Sequence, residues 1–180
     1  MKYEPQNEHE KRMYEIFEEL GIEDYEVRNH VAVRTIDEVD MYGLSMEGLN
    51  LKNLLIYDKK LDKYFLVIVE EHRRLDMKHF KEITGWKKTK FAEDEEAQAL
   101  MGLETGLTPL ALFNDTEKHI TVVLGKEIID APDDEIVGFH PCRNNGTLLM
   151  KKADFIKFLA YVKNDVIEET YYPEPAPEEE

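Results

Sequence analysis

The feature that most constrains the fold of this 180-residue chain is an unbroken apolar run at residues 64–69. A strand with one face in water alternates apolar and polar residues, whereas a strand covered on both faces does not. The run therefore predicts a central strand with structure packed on each side. A second apolar run, residues 51–57, precedes it, and the polar residues 58–63 predict a hairpin with a lysine-rich loop.

Helices are predicted on both sides of this hairpin. Apolar residues spaced three and four apart predict the first helix, which ends at Gly21, and the last helix. They are Met13, Ile16, Phe17 and Leu20 in the first, and Phe155, Phe158, Leu159 and Val162 in the last. Two more helices are predicted, one over residues 76–83 ended by Gly85 and one over residues 94–101 ended by Gly102. Capping-box spacing predicts a short helix from Thr35.

The remaining apolar segments predict a mixed sheet. Further strands are predicted for residues 25–33, 110–113, 120–124, 136–139 and 147–150. Hairpins occur together with interleaved helices, so we expect an α+β fold and not a doubly wound parallel sheet. The chain is predicted to form one domain over residues 1–166, followed by a disordered, acidic and proline-rich tail over residues 167–180.

Composition excludes several classes of protein. The only cysteine is Cys142, which excludes a disulfide scaffold. No apolar run approaches the roughly 20 residues that span a bilayer, and we see no secretory signal. A cytoplasmic protein without membrane contact is therefore expected. The glycine-rich phosphate loops GxGxxG and GxxxxGK[ST] do not occur.

The charge is distributed unevenly along the chain. The formal net charge is −16, yet residues 51–91 carry eleven basic and six acidic side chains. This basic segment either contacts phosphates or forms a solvated helix and hairpin surface. Trp86, with Lys87, Lys88 and Lys90 beside it, either stacks on a nucleotide or packs between a helix and the sheet.

Two side chains are candidates for a pocket. Lys52 begins an apolar strand, where it either extends its ammonium group to solvent at the sheet edge or holds a phosphate or ribose oxygen. His140, between Phe139 and Pro141, is either a core histidine or a pocket histidine. The other histidines are scattered, which gives no zinc motif, and Cys142 has no evident activating base.

Four segments in order carry a resemblance to a known family. They are HVAVRT at residues 30–35, KNLL at 52–55, a glycine-to-proline loop with PLALFND from Gly102 to Asp115, and FHP at 139–141 with Asn144 and Thr147. From about residue 20 to residue 159 the chain resembles the YbaK and prolyl-tRNA-editing family, also found as the insertion domain of bacterial prolyl-tRNA synthetases. Val31 stands where that family has proline.

The resemblance implies a mixed, largely antiparallel, partly barrel-like sheet surrounded by helices, with no metal and no cofactor. It also implies a free-standing trans-editing aminoacyl-tRNA deacylase, which most often removes alanine from the tRNA for proline. The expected partner is the tRNA acceptor end, and prolyl-tRNA synthetase is a second candidate partner. A small pocket would admit alanine and exclude proline.

The resemblance further assigns roles to residues. Lys52 matches the lysine that engages the terminal adenosine, and His140 matches the pocket histidine, so these two are the predicted catalytic residues. Backbone groups near Gly106 would polarise the ester carbonyl, with a tRNA hydroxyl assisting the attacking water. The predicted substrate-binding residues are His30, Thr35, Asn53, Gly106, Thr108, Pro109, Gly138, Asn144 and Thr147.

Two departures from the family pattern leave alternatives open. The loop from Gly106 to Pro109 is one residue shorter than usual, and Asn145 replaces a small residue or threonine. Cysteine, serine or a nonprotein amino acid therefore remain alternatives to alanine. The competing hypotheses are a noncatalytic module that binds tRNA or a synthetase, and a hydrolase of small-molecule esters, although no Ser-His-Asp order or GxSxG elbow is present.

Overall fold

The structure is a computed structural model that describes residues 1–32, 47–103 and 106–172. In chain order, its elements are α1 (Glu8–Leu20), β1 (Tyr25–Asn29), β2 (Leu51–Asp58), β3 (Lys63–Glu70), α2 (Met77–Thr84), β4 (Thr89–Phe91), α3 (Asp94–Met101), a 3₁₀ helix (Pro109–Asn114), β5 (Ile120–Leu124), α4 (Lys126–Asp130), β6 (Ile136–Phe139), β7 (Gly146–Lys151), α5 (Lys152–Val162) and β8 (Val166–Glu168).

Strand β3 lies at the centre of a five-stranded sheet with the order β4-β2-β3-β5-β8. It pairs antiparallel with β2 and parallel with β5. Leu66 and Ile68 belong to the main core, whereas Phe65, Val67 and Val69 pack with α2 in a second core. The predicted central strand and its hairpin are therefore confirmed, and the apolar run follows from burial on both faces.

A three-stranded antiparallel sheet with the order β1-β7-β6 covers the other side of the main core. The two sheets meet at a parallel bridge between Leu49 and Val137, where Leu49 N–H donates to Ile136 O at 2.8 Å. Four of the six strand pairs among the described residues are antiparallel. The predicted α+β fold with a mixed, largely antiparallel, partly barrel-like sheet is confirmed.

Local capping chemistry explains the ends of helices α1, α2 and α3. The Asp76 side chain accepts hydrogen bonds from the first backbone N–H groups of α2, and Gly85 ends that helix in the left-handed conformation. Helix α3 begins with a capping box at Glu93 and ends at Gly102, and α1 ends at Gly21. Within the described residues, no helix combines the length and apolar character that crossing a membrane requires.

Residues 110–113, predicted as a strand, instead belong to the 3₁₀ helix. Pro109 fixes the backbone at the first helical position, and Thr108 Oγ1 accepts a hydrogen bond from Leu110 N–H at 3.3 Å. Periodicity cannot separate strand from helix in a short apolar run buried on all sides. The predicted strand 25–33 is also too long, because β1 ends at Asn29. The helix predicted from Thr35 lies outside the described residues.

The chain packs on the domain beyond the boundary expected at residue 166. Strand β8 pairs with β5, and buried Glu169 forms an ion pair with Arg73 at 2.6 Å. The Tyr172 ring centroid lies 3.5 Å from the guanidinium carbon of Arg73. The ordered contacts therefore extend to Tyr172, and the rest of the predicted tail lies outside the described residues.

A buried carboxylate at the end of β2 holds two loops together. Asp58 is fully buried, and its side chain accepts hydrogen bonds from the backbone N–H groups of Lys60, Leu61, Lys87 and Lys88, at 2.6–3.2 Å. Burial by itself raises the pKa of the Asp58 carboxyl, but these amide donors outweigh that effect and the pKa is lowered.

We expect Asp58→Asn to lower the free energy of unfolding by about 2 kcal/mol at pH 7, because one amide oxygen replaces an ionised carboxylate as acceptor. A lowered folded-state pKa means that the contribution is present above the unfolded value of about 3.9 and is lost as pH falls through the folded value. Urea denaturation at pH 7 and at about pH 3 measures both.

The matched control is Asp62→Asn, an exposed carboxylate in the same loop that accepts from the Tyr57 hydroxyl. This change should alter stability by less than about 0.5 kcal/mol. An Asp58→Asn effect of equal size at both pH values would contradict the assigned role of the ionised carboxylate.

Candidate active site

The outward face of the three-stranded sheet carries several predicted site residues. Strands β6 and β7 direct four side chains into the main core: Val137, Phe139, Leu148 and Met150. Because side chains alternate along a strand, Gly138 and Thr147 lie on the opposite face. A Cβ at Gly138 would lie 3.5 Å from the Thr147 methyl carbon, which places these two positions in contact.

His30 joins this face through a hydrogen bond to Thr147, with 2.9 Å between His30 Nε2 and Thr147 Oγ1. The His30 Nδ1 lies 2.6 Å from Val31 O. A carbonyl oxygen only accepts, so Nδ1 carries a hydrogen and donates to Val31 O. Thr147 is held in one orientation by its hydrogen bond to His30 Nε2.

His140 follows β6 and lies close to His30. Its Nδ1 is 3.1 Å from Gly146 O, so this nitrogen donates and Nε2 of the neutral ring is left as an acceptor. Burial is the largest effect on the pKa of His140 and lowers it; the hydrogen bond to Gly146 O raises the pKa by less, and the nearby His30 and Arg143 lower it a little further. The imidazole is therefore neutral at pH 7.

Lys52 lies on the face of β2 that is turned away from the main core, where it is the register partner of Val69 in the second core. Leu49 and Val137 pair in parallel, and both pack on the main core. Lys52 and His140 each lie three residues further along, where alternation directs a side chain to the opposite side. By this alternation, both predicted catalytic residues lie on a face of their sheet that is turned away from the main core.

Asn53 points to the core side and connects β2 to the loop before the 3₁₀ helix. Its Nδ2 donates to Leu107 O at 3.3 Å. Its Oδ1 is buried and has no hydrogen-bond partner among the described residues. Leaving a buried acceptor unpaired costs about 1–3 kcal/mol. The substrate-binding role of Asn53 stays a prediction.

The loop that ends at Pro109 packs on the turn after β6. Gly106 has a φ of 78°, and a Cβ there would lie 3.0 Å from Asn144 N. These two predicted residues are therefore in contact. Thr108 and Pro109 are buried, and the Thr108 oxygen caps the 3₁₀ helix, so both shape the loop. Thr35 lies outside the described residues.

The turn that carries Asn144 is held by a buried ion pair that the sequence analysis missed. Arg143 Nε donates to Glu10 Oε2 at 3.0 Å, and Tyr14 Oη donates to Glu10 Oε1 at 2.7 Å. Arg143 Nη1 also donates to Asn145 O at 2.9 Å. Glu10 lies on the apolar face of α1 with Met13, and a charged residue at such a position was the available signal.

A cleft of about 450 Å³ opens beside this ion pair. Residues before α1, together with Asn29 and Arg143, line it, and none of the predicted site residues does. Cys142 is buried, and burial raises the pKa of its thiol, which makes it a poor nucleophile. This agrees with the absence of an evident activating base for Cys142 in the sequence.

Among the described residues, Glu70, Glu71 and His72 are grouped closely enough to hold a metal ion, with one ligand atom of each within 4.8 Å of the others. Glu70 is the last residue of β3 and the register partner of Leu51, and the other two follow it. Neighbouring carboxylates on a turn are common without an ion, and we assign this cluster no function.

Two solved structures share the fold of this chain. A protein described as a proposed trans-editing enzyme for prolyl tRNA synthetase superposes with a TM-score of 0.64 and 19% sequence identity, covering 91% of this chain and 98% of that one. A hypothetical protein, APE2540, also gives a TM-score of 0.64 and 19% identity, covering 88% of this chain and 97% of that one. At this identity, the likeness concerns the fold alone.

Sequence comparison places the chain in a family. The model of the aminoacyl-tRNA editing domain matches residues 30–158, and the chain belongs to this family. A zebrafish (Danio rerio) protein, prolyl-tRNA synthetase associated domain-containing protein 1, is 32% identical over 83% of this chain and 80% of its own length. The prolyl-tRNA editing protein ProX of Acetoanaerobium sticklandii is 27% identical over 79% of this chain and 85% of its own.

We expect Arg143→Ala to lower the free energy of unfolding by roughly 3 kcal/mol or more, since it leaves the Glu10 carboxylate buried without its cation. The double variant with Glu10→Ala should cost clearly less than the sum of the two single changes. Urea denaturation of the four proteins in this cycle measures the coupling.

The exposed pair Arg12–Glu19, at 3.0 Å, provides the matched control. Its coupling should stay below about 1 kcal/mol, because solvent screens both charges. Equal coupling energies for the buried and the exposed pair would refute the assigned importance of the Glu10–Arg143 contact.

Proposed function

We propose that this protein is a trans-editing aminoacyl-tRNA deacylase, which hydrolyses the ester between a wrongly attached amino acid and the 3′ end of a tRNA. The observation that carries the proposal is the grouping of His30, Thr147 and His140 on one outward surface. Lys52 lies on the face of β2 that is also turned away from the main core. Membership of the aminoacyl-tRNA editing domain family supports it independently.

We further propose alanine attached to the tRNA for proline as the substrate. ProX carries the name of a prolyl-tRNA editing protein, and one solved structure of this fold is described in relation to prolyl tRNA synthetase. Selection would be by size, since a pocket that fits a methyl side chain excludes the larger ring of proline. Prolyl-tRNA synthetase is the proposed protein partner.

In the proposed reaction, Lys52 holds the acceptor end through a phosphate or ribose oxygen, and water attacks the ester carbonyl. Backbone N–H groups near Gly106 stabilise the negative charge that develops on the carbonyl oxygen. The neighbouring ribose hydroxyl relays the proton to the leaving oxygen. The products are the free amino acid and a tRNA with an intact 3′ end. An aminoacyl ester is already activated, so positioning supplies most of the acceleration.

His140 acts in this scheme as a neutral wall of the pocket. Its lowered pKa keeps it uncharged, and its hydrogen bond to Gly146 O orients the ring. Asn53 ties the start of β2 to Leu107, in the loop that would hold the carbonyl. Thr147, restrained by His30, lines the same surface.

A noncatalytic module that binds tRNA or a synthetase is the second candidate. The observation in its favour is the loop from Gly106 to Pro109, which is one residue shorter than the family pattern and packs directly on Asn144. The zebrafish relative is also named for association with prolyl-tRNA synthetase and not for an activity.

The decisive experiment is deacylation at low salt of the tRNA for proline, charged in turn with alanine, cysteine, serine and proline. We expect rapid loss of alanine with proline spared. Loss of cysteine or serine alone would reassign the amino acid, and binding of all four without cleavage would favour the noncatalytic module. Turnover of free amino acid esters without tRNA would indicate a small-molecule esterase.

Lys52→Ala should lower kcat/KM for deacylation by roughly 100-fold or more, because the acceptor end loses its cation, while the thermal unfolding midpoint stays near wild type. The matched control is Lys11→Ala, an exposed lysine on α1, which should keep full activity. Full activity of Lys52→Ala would show that this role is wrong.

A further inference from the structure

Five lysines are gathered at the corner of the five-stranded sheet where β2 ends. We name the set the lysine corner, and its members are Lys59, Lys60, Lys63, Lys87 and Lys88. The first three belong to the β2–β3 hairpin and the other two precede β4, which pairs with the end of β2. All five are exposed.

The corner is constructed around the buried carboxylate of Asp58. This side chain accepts N–H groups from the hairpin loop and from the segment before β4, and Lys59 N–H donates to Lys88 O at 2.9 Å. The two loops are therefore fixed against each other, and the lysines stay close together despite their mutual repulsion.

The positive charge of the corner is not neutralised within the described part of the chain. None of the five ammonium groups has an ion-pair partner there, whereas the nearby Lys90 pairs with Glu96 at 2.8 Å. The carboxylate of Asp62, in the same loop, accepts from the Tyr57 hydroxyl. In a protein with a net charge of −16, five uncompensated lysines form a local site for a polyanion.

Trp86 beside the corner packs between helix α2 and the sheet, which is the second of its two predicted roles. Its Nε1 donates to Met77 O at 3.3 Å, and its ring packs on the second core with Lys81 Nζ at 5.3 Å from the centroid. The corner therefore offers charge without a base-reading element. This chemistry fits a phosphate backbone and predicts binding that is independent of base sequence.

The position of the corner fits a tRNA whose end enters the candidate active site. Lys52 and Asp58 lie six residues apart on β2, about 20 Å at the rise of a strand. This exceeds the reach of the terminal nucleoside, so a tRNA held at Lys52 would have its duplex stem near the corner.

We propose that the lysine corner binds the phosphate backbone of the tRNA acceptor stem. This inference rests on the proposed function, since the tRNA is the substrate named there. The corner contributes to tRNA binding and takes no part in the reaction. Asp58 is a positioning residue, because it holds the two loops that carry the lysines. An acidic protein thereby attracts its polyanionic substrate at one place and in one orientation.

The test compares two double variants that remove the same total charge. Lys60→Gln with Lys87→Gln changes the corner, and Lys11→Gln with Lys157→Gln changes exposed lysines on α1 and α5. Binding of uncharged tRNA for proline is followed by fluorescence anisotropy over a NaCl series. The corner variant should bind on the order of tenfold more weakly at low salt, and its salt slope should fall by about 2. The control should match wild type.

A second readout uses alanyl-tRNA and a short alanylated oligonucleotide that ends in the same CCA sequence. The corner variant should raise KM for the tRNA on the order of tenfold, with kcat and the cleavage of the oligonucleotide unchanged. The proposal would be overturned if both double variants weakened tRNA binding equally, or if neither weakened it. Loss of binding to anionic phosphatidylserine vesicles with tRNA binding intact would also overturn it and assign the corner to lipid.

The two proposals fail separately in this design. Binding of uncharged tRNA needs no catalysis. A salt slope that depends on the corner lysines, without any deacylation, would contradict the proposed enzymatic activity but support tRNA binding by the lysine corner. If both double variants deacylate the tRNA and the oligonucleotide like wild type, the proposed enzyme stands and the role of the lysine corner is wrong.

Discussion

Burial of β3 on both faces is the constraint on which the rest of the structure depends. A strand of residues such as Phe65–Val69 gains stability only when apolar groups cover each side. One side is covered by α2 and the second core, and the other by the main core, which the β1-β7-β6 sheet closes. The two sheets then meet at the bridge between Leu49 and Val137, and side-chain alternation decides which residues face away from the main core.

Buried polar groups complete this arrangement where apolar packing cannot. Asp58 joins two loops, Glu10 and Arg143 anchor the turn that carries Asn144, and Asn53 ties β2 to the loop before the 3₁₀ helix. Each of these groups holds irregular backbone close to a surface for which a function is proposed. Loops have few apolar contacts of their own, so directional hydrogen bonds at low dielectric are the available means of fixing them.

Much of the fold could be predicted because its signals are local. The hairpin at residues 51–69 and the helix ends at Gly85 and Gly102 follow from hydrophobic pattern and capping chemistry, which neighbouring residues supply. Residues 110–113 were misassigned because a short run buried on all sides has no periodicity to read. The role of Arg143 was missed because its partner, Glu10, is distant in sequence.

The sequence by itself determined most of the elements, the helix ends at Gly21, Gly85 and Gly102, the central place of β3 and, through its ordered motifs, the aminoacyl-tRNA editing family. Only the tertiary structure decided which residues meet. A hydrogen bond joins His30 to Thr147, and Asp58 brings lysines from two loops to one corner. The physical reason is that strand pairing and buried hydrogen bonds act between segments far apart in the chain, which no local pattern encodes.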